Sequence, residues 1–164
     1  MKQERKHPRL KDYDYSLPGY YYVTICAADE TVCLSEVGRG LAPAAAQVTL
    51  TEAGKIAQEQ LMELEKRYSC VRIDKYVIMP NHIHVIMELT SVTAPGEKRD
   101  DLMAILCAYK SVTTRLLNQK FQTSGRKWFQ TSFYETVLRN EMAYRKCWQY
   151  IDDNPLKLLL GYHR

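Results

Sequence analysis

The sequence predicts an α+β fold: an antiparallel sheet with two helices on one face, and an additional helix at the C-terminal end. Three observations predict it. Segments dense in aromatic and β-branched residues recur at Tyr20–Ala27, Cys70–Met79, Ile83–Leu89 and Trp128–Leu138. Two segments of helical apolar spacing interrupt them, so the order reads strand, helix, two strands, helix, strand. A third helical segment then follows the last strand.

Each element has its own warrant. Tyr20–Ala27 follows the turn dipeptide Pro18-Gly19 and is almost continuously aromatic or β-branched. Val32–Val37 reads as a second, shorter strand, followed by a loop at Gly38-Arg39-Gly40 and Ala42-Pro43, and a further short strand fits Gln47–Leu50. Thr51 is placed to cap a helix running to about Arg67, with Ala53, Ile56, Ala57, Leu61 and Leu64 on its apolar side. Cys70–Met79 and Ile83–Leu89 form a hairpin around Pro80-Asn81, and Ser91–Lys98 is a loop. A second helix is expected from Asp100 to Asn118, with Leu102, Ile105, Leu106, Tyr109 and Leu116 inward. After the basic loop Phe121–Lys127 comes the last strand, Trp128–Leu138. Asn140 caps a third helix through about Asp153, with Met142, Tyr144, Cys147, Trp148 and Ile151 as its core stripe. The first six elements are the split β-α-β-β-α-β, ferredoxin-like arrangement, and the sheet's other face is the vacancy for the extra helix.

Length and composition narrow the function classes. At 164 residues and 46% hydrophobic, the chain suits one domain, 1–164, with a real core. No run approaches the roughly 20 apolar residues that span a bilayer, and the charged start Met1–Pro8 lacks an apolar signal stretch; no membrane partner and a cytoplasmic location are expected. The five cysteines are odd in number and never form a Cys-x-x-Cys pair, which supports neither a disulfide framework nor a zinc ribbon. The net charge of +4 is unevenly spread: residues 1–11 balance to +4, residues 12–101 to −6 and residues 102–164 to +6. Two basic ends folded onto one surface would suit a polyanion, of which nucleic acid is the commonest.

Chemistry concentrates in Met79-Pro80-Asn81-His82-Ile83-His84. Residues two apart on a strand share a face, so His82 and His84 project together while Ile83 turns away. Such a pair supplies two ligands of a metal site; it also suits a hydrogen-bonded pair in a polar pocket. Half of the chain's four histidines sit in this otherwise apolar run, where unpartnered polar groups are costly. On the third helix Tyr150 and Asn154 lie four apart and stack on one face. Asn154 ends that helix, because the residue before Pro155 resists helical geometry.

The chain resembles the HUH single-tyrosine transposases, in particular the REP-associated tyrosine transposases and their insertion-sequence relatives. The resemblance rests on Tyr13-Asp14-Tyr15-Ser16 ahead of Pro18-Gly19, on Met-Pro-Asn-His-Ile-His, and on Tyr150-Ile151-x-x-Asn154-Pro155, and it spans about Arg9 to Gly161. It implies that His82, His84 and Asn154 hold a divalent metal, magnesium or manganese, against the scissile phosphate of single-stranded or hairpin DNA. It implies that Tyr150 attacks, leaving a 5′-phosphotyrosine and a free 3′-hydroxyl, so that rejoining needs no nucleotide cofactor. Tyr109 and Tyr144 are also helical, but four residues on they have Thr113 and Trp148, poor or impossible ligands. A homodimer is open, since the tyrosine helix of insertion-sequence relatives can complete a partner's site.

Candidate DNA contacts are softer. Lys110 and Arg115 on the second helix, Arg126 and Lys127 in the basic loop, and Arg139 after the last strand suit phosphates, although each is equally an ordinary solvated charge. Arg5, Lys6 and Arg9 with Tyr13 and Tyr15 mix charge with stacking rings, as single-strand binders do. Trp128 and Phe129 suit either base stacking or packing. Two rival readings share these residues: a DNA-binding regulator without chemistry, and a nuclease that uses the His pair to activate water.

Overall fold

A computed structural model describes residues 9–42, 45–91, 95–96 and 99–162. Four strands, β1 (Gly19–Cys26), β4 (Val71–Ile78), β5 (His82–Leu89) and β6 (Tyr134–Leu138), form an antiparallel sheet in the order β4-β5-β1-β6. Helices α1 (Glu52–Arg67) and α2 (Leu102–Phe121) complete the split arrangement, and α3 (Glu141–Leu159) follows β6. A separate hairpin, β2 (Ser35–Arg39) with β3 (Ala46–Leu50), lies between β1 and α1.

The strand alternation divides the side chains between two faces. On one face Tyr21, Val23 and Ile25 of β1 and Ile83, Val85 and Met87 of β5 are fully buried against Ala57, Leu61 and Leu64 of α1 and Leu102, Ile105, Leu106, Tyr109 and Leu117 of α2. Burying one such leucine contributes about 1.5–3 kcal/mol. Tyr109 enters this core because its hydroxyl donates to the Ala57 carbonyl at 3.0 Å. The other face belongs to α3. Its apolar cluster is small: Ile86, Leu138 and Ile151, flanked by Tyr20, Tyr22, Val77, Ala143, Tyr144 and Cys147.

Caps fix where the helices begin. Thr51 Oγ1 accepts from Gly54 N, Asp101 Oδ1 from Ala104 N and Asn140 Oδ1 from Ala143 N, at 3.1, 2.7 and 2.8 Å. Gly54 is required by contact: a Cβ there would lie 1.9 Å from the Leu34 carbonyl oxygen.

Several sequence expectations need correction. The second strand is displaced toward the C-terminus, to Ser35–Arg39, because the Leu34 amide and carbonyl are taken elsewhere, by Pro80 O and Thr51. Only Tyr134–Leu138 of the expected Trp128–Leu138 strand is extended sheet; upstream a single bridge joins Phe129 to Ala27. The Gln130 and Thr131 carbonyls are instead capped by Lys110 Nζ at 2.8 and 2.7 Å. Helix α3 does not stop at Asn154 but runs through Pro155, which is buried. Met142 (81% exposed) and Trp148 lie outside the α3 core stripe.

Candidate active site

The histidines are held from the turn outward. Met79 N donates to His82 O (2.8 Å), Leu34 N to Pro80 O (2.9 Å) and Ala27 N to Asn81 O (2.9 Å), so the Met-Pro-Asn turn is bound to two other segments. Each residue of the motif thus has structural work: Met79 is buried, and Pro80 and Asn81 supply the carbonyls. The Asn81 side chain then takes His82, with Oδ1 2.7 Å from Nδ1.

Strand register places the groups that touch His84. Thr24 pairs with His84 and Tyr22 with Ile86 across the β1–β5 ladder, all on the α3 side of the sheet. The Tyr22 and Thr24 hydroxyls lie 2.8 and 2.9 Å from His84 Nδ1, and the Tyr22 ring stacks on the imidazole at 5.5 Å. Burial pushes the Tyr22 phenol up, leaving it a neutral hydroxyl. Burial, reinforced by the adjacent His82, drives the His84 imidazole down to about 3. Burial lowers His82 as well, opposed by a hydrogen bond with the Asn154 side chain. Two neutral imidazoles therefore stand with their ring centroids 4.4 Å apart.

Helix α3 brings the rest. Its ring of Tyr150 stands edge-on to His84 with centroids 5.5 Å apart and to Tyr22 at 6.5 Å. Tyr150 is 39% exposed, whereas Asn154 and His84 are 9% and 6% exposed. One chain supplies all four residues. The helix is fastened across the sheet by Tyr144, whose hydroxyl donates to Asp74, and by Lys75, which pairs with Asp152 and lies 3.4 Å over the Trp148 ring.

The donor set fits a divalent cation. Each imidazole has Nδ1 committed to an orienting oxygen; this leaves Nε2 of His84 for a ligand, while His82 also hydrogen-bonds Asn154, the amide that would share an ion with it. The Asn154 amide adds an oxygen. Among the described residues no group of three or more His, Cys, Asp or Glu assembles.

The predicted DNA contacts are scattered. Arg5 and Lys6 lie outside the described residues. Arg9 pairs with Glu135 at 3.4 Å and sits over Phe133. Lys110 caps the carbonyls named above, and with Arg115 it rides on α2, across the sheet from the histidines. Arg126 donates to Thr31 and covers the Trp128 ring at 4.3 Å. Lys127 is exposed, as is Arg139, which borders a hollow with Tyr20 and Tyr144. Trp128 and Phe129 are buried and pack rather than presenting a stacking surface.

Sequence reasoning missed Tyr22 and Thr24, whose position beside His84 depends on inter-strand register. It also missed Lys157, whose Nζ lies 4.8 Å over the Tyr150 ring; ending the helix at Asn154 hid it.

Comparison with known proteins agrees with this architecture. No protein-family profile matches the chain. An uncharacterized protein of Haemophilus influenzae is 27% identical over 165 residues, covering 93% of this chain and 88% of its own. A REP-associated tyrosine transposase bound to a REP hairpin superposes with a TM-score of 0.65 at 19% identity, over 94% of this chain and 74% of that one. A provisionally assigned transposase of Deinococcus radiodurans R1 superposes at 0.50 with 14% identity, over 93% and 97% of the two chains. The chain shares the fold of the REP-associated tyrosine transposase.

Proposed function

We propose that the protein nicks and rejoins single-stranded DNA through a covalent 5′-phosphotyrosine, acting in cis on hairpin or palindromic repeat DNA. The observation that carries this reading is the convergence of His82, His84, Tyr150 and Asn154 on one face of the sheet, with the Tyr150 and His84 rings 5.5 Å apart. A neighbour of the same fold is bound to a REP hairpin, which supports DNA of that form as the partner.

His82, His84 and Asn154 would hold a magnesium or manganese ion. When bound, the ion supplies Lewis-acid polarisation of a phosphoryl oxygen. The chain's own residues do the rest. Tyr22 and Thr24 fix the His84 ring, Asn81 fixes the His82 ring, and the sheet and α3 hold donor set and phenol in one orientation, which removes much of the entropic cost of bringing nucleophile and phosphate together. The Tyr150 oxygen attacks phosphorus, the bond from phosphorus to the 3′ oxygen breaks, the phenol proton leaves to solvent, and the 3′ oxygen takes one up. The exposed side of Tyr150 gives DNA access. The phosphotyrosine conserves the energy of the phosphodiester, so a second 3′-hydroxyl can reverse the step onto another end.

Incubating the protein with labelled single-stranded hairpin oligonucleotides and Mn2+ tests this reading. A covalent protein–DNA adduct that disappears in Tyr150→Phe is the expected result. Cleavage unaffected by that change would assign the site to a water-activating nuclease. Binding with no cleavage would assign it to a regulator.

A further inference from the structure

The residue that continues the catalytic face of α3 past Pro155 is Lys157. Residues 150, 154 and 157 are spaced i, i+4, i+7 and share one side of the helix. Helical side chains lean toward the N-terminus, so Lys157 reaches back across Asn154 toward Tyr150. Its ammonium lies 4.8 Å over the Tyr150 ring. Asp152 and Asp153 are near in sequence, yet Asp152 is paired with Lys75 and Asp153 accepts from Gln149. Among the described residues Lys157 makes no ion pair.

A phosphate attacked by Tyr150 while held beside His82, His84 and Asn154 must occupy the side of α3 that Lys157 crosses. Transfer builds negative charge on the phosphoryl oxygens that a second positive charge, beside the ion's own, would offset, and the Lys157 ammonium is placed over the Tyr150 ring. A mobile ammonium at the rim of the site, on a four-carbon stem, can supply that charge.

We propose that Lys157 is a catalytic residue of strand transfer, its ammonium leaving the Tyr150 ring face to contact a non-bridging oxygen of the scissile phosphate. This rests on the strand-transfer reading above. The bond from the Tyr150 oxygen to phosphorus forms, that to the 3′ oxygen breaks, and protons exchange only with solvent. In the reverse step the same contact stabilises the departing phenol oxygen's phosphorus centre, so nicking and rejoining depend on it alike.

The test uses the full chain, Mn2+ and a labelled pool of single-stranded oligonucleotides, each with one hairpin between randomised flanks. Single-turnover adduct formation is measured at saturating DNA, and DNA affinity separately by anisotropy. Lys157→Gln is expected to slow adduct formation about 10²-fold, as loss of one charge-stabilising donor does, with an unchanged thermal melt and little change in DNA affinity. Lys157→Arg should recover most of the rate, because it keeps the charge. A wild-type rate in Lys157→Gln overturns the inference, as does a slowed rate that extra DNA fully restores, which would make Lys157 a mere anchor. Absence of any adduct with the unaltered chain would instead overturn strand transfer itself, and this inference with it.

Discussion

The two faces of the sheet are built on different terms. The face under α1 and α2 is a largely apolar core in which the Thr113 and Tyr109 hydroxyls bond to helix backbone carbonyls and the buried Glu135 carboxylate, at the β6 edge, pairs with Arg9. The face under α3 buries three aliphatic side chains, and beside them His84 and Asn154. A buried imidazole and amide carry a desolvation cost that an aliphatic side chain does not, and they stand beside Tyr150, which is open to solvent. The comparison teaches that stability and chemistry are separated by the thickness of one sheet. Ile83 and its neighbours His82 and His84 belong to opposite accounts though they adjoin in sequence.

That separation predicts different losses from each side. The largest belongs to the α3 face: His84→Ala should cut adduct formation about 10³-fold or more, as removal of a metal ligand does, while stability falls by only about 1–3 kcal/mol as the Tyr22 and Thr24 hydroxyls lose their partner. Single-turnover kinetics beside an unfolding curve checks both parts. A large loss of stability with it would erase the division.

On the other face, Leu61→Ala should cost about 2–5 kcal/mol of stability, read from chemical unfolding, with single-turnover chemistry unchanged where the protein is still folded. Next comes the hydroxyl pair. Tyr22→Phe with Thr24→Val leaves His84 Nδ1 without its orienting oxygens, and Mn2+ affinity measured by calorimetry should fall about 10–100-fold. An unchanged affinity would show that packing alone orients the ring.

The smallest effect is on pH dependence. His84 is neutral in the fold, with its folded value near 3, whereas the unfolded imidazole titrates near ~6.5. The unfolded chain therefore takes up the proton first as pH falls, and stability drops from about pH 6.5 downward, being fully present above it. Between pH 6.5 and 5, above the range of ordinary carboxylates, the contribution is about 1–2 kcal/mol, and His84→Gln should remove it from the metal-free protein.

Much of this arrangement is legible in the residues, for physical reasons that also mark where legibility stops. Alternation on a strand sends His82 and His84 to one side whatever the rest of the chain does, and a spacing of four stacks Tyr150 on Asn154. Caps at Thr51 and Asn140 act within three residues and read directly. What failed depends on distant partners. Pro155 is a local helix breaker, yet burial between α3 and β4, beside Ile73, Val77 and Ile151, keeps the helix going, and so Lys157 came into reach unseen. Trp128–Phe133 alternates tolerably for a strand, but Lys110 takes the carbonyls a neighbour would need. Met142 and Trp148 are apolar enough for a core stripe; the sheet instead meets Ala143, Cys147 and Ile151.

The position of the covalent bond tests the account most directly. Protein allowed to react with labelled hairpin DNA and Mn2+ would be digested and the adduct-bearing peptide identified by mass spectrometry. The geometry predicts one modified residue, Tyr150, joined to the 5′ phosphate. An adduct on Tyr22 or another tyrosine, or free 5′ phosphate ends with no adduct at all, would contradict it.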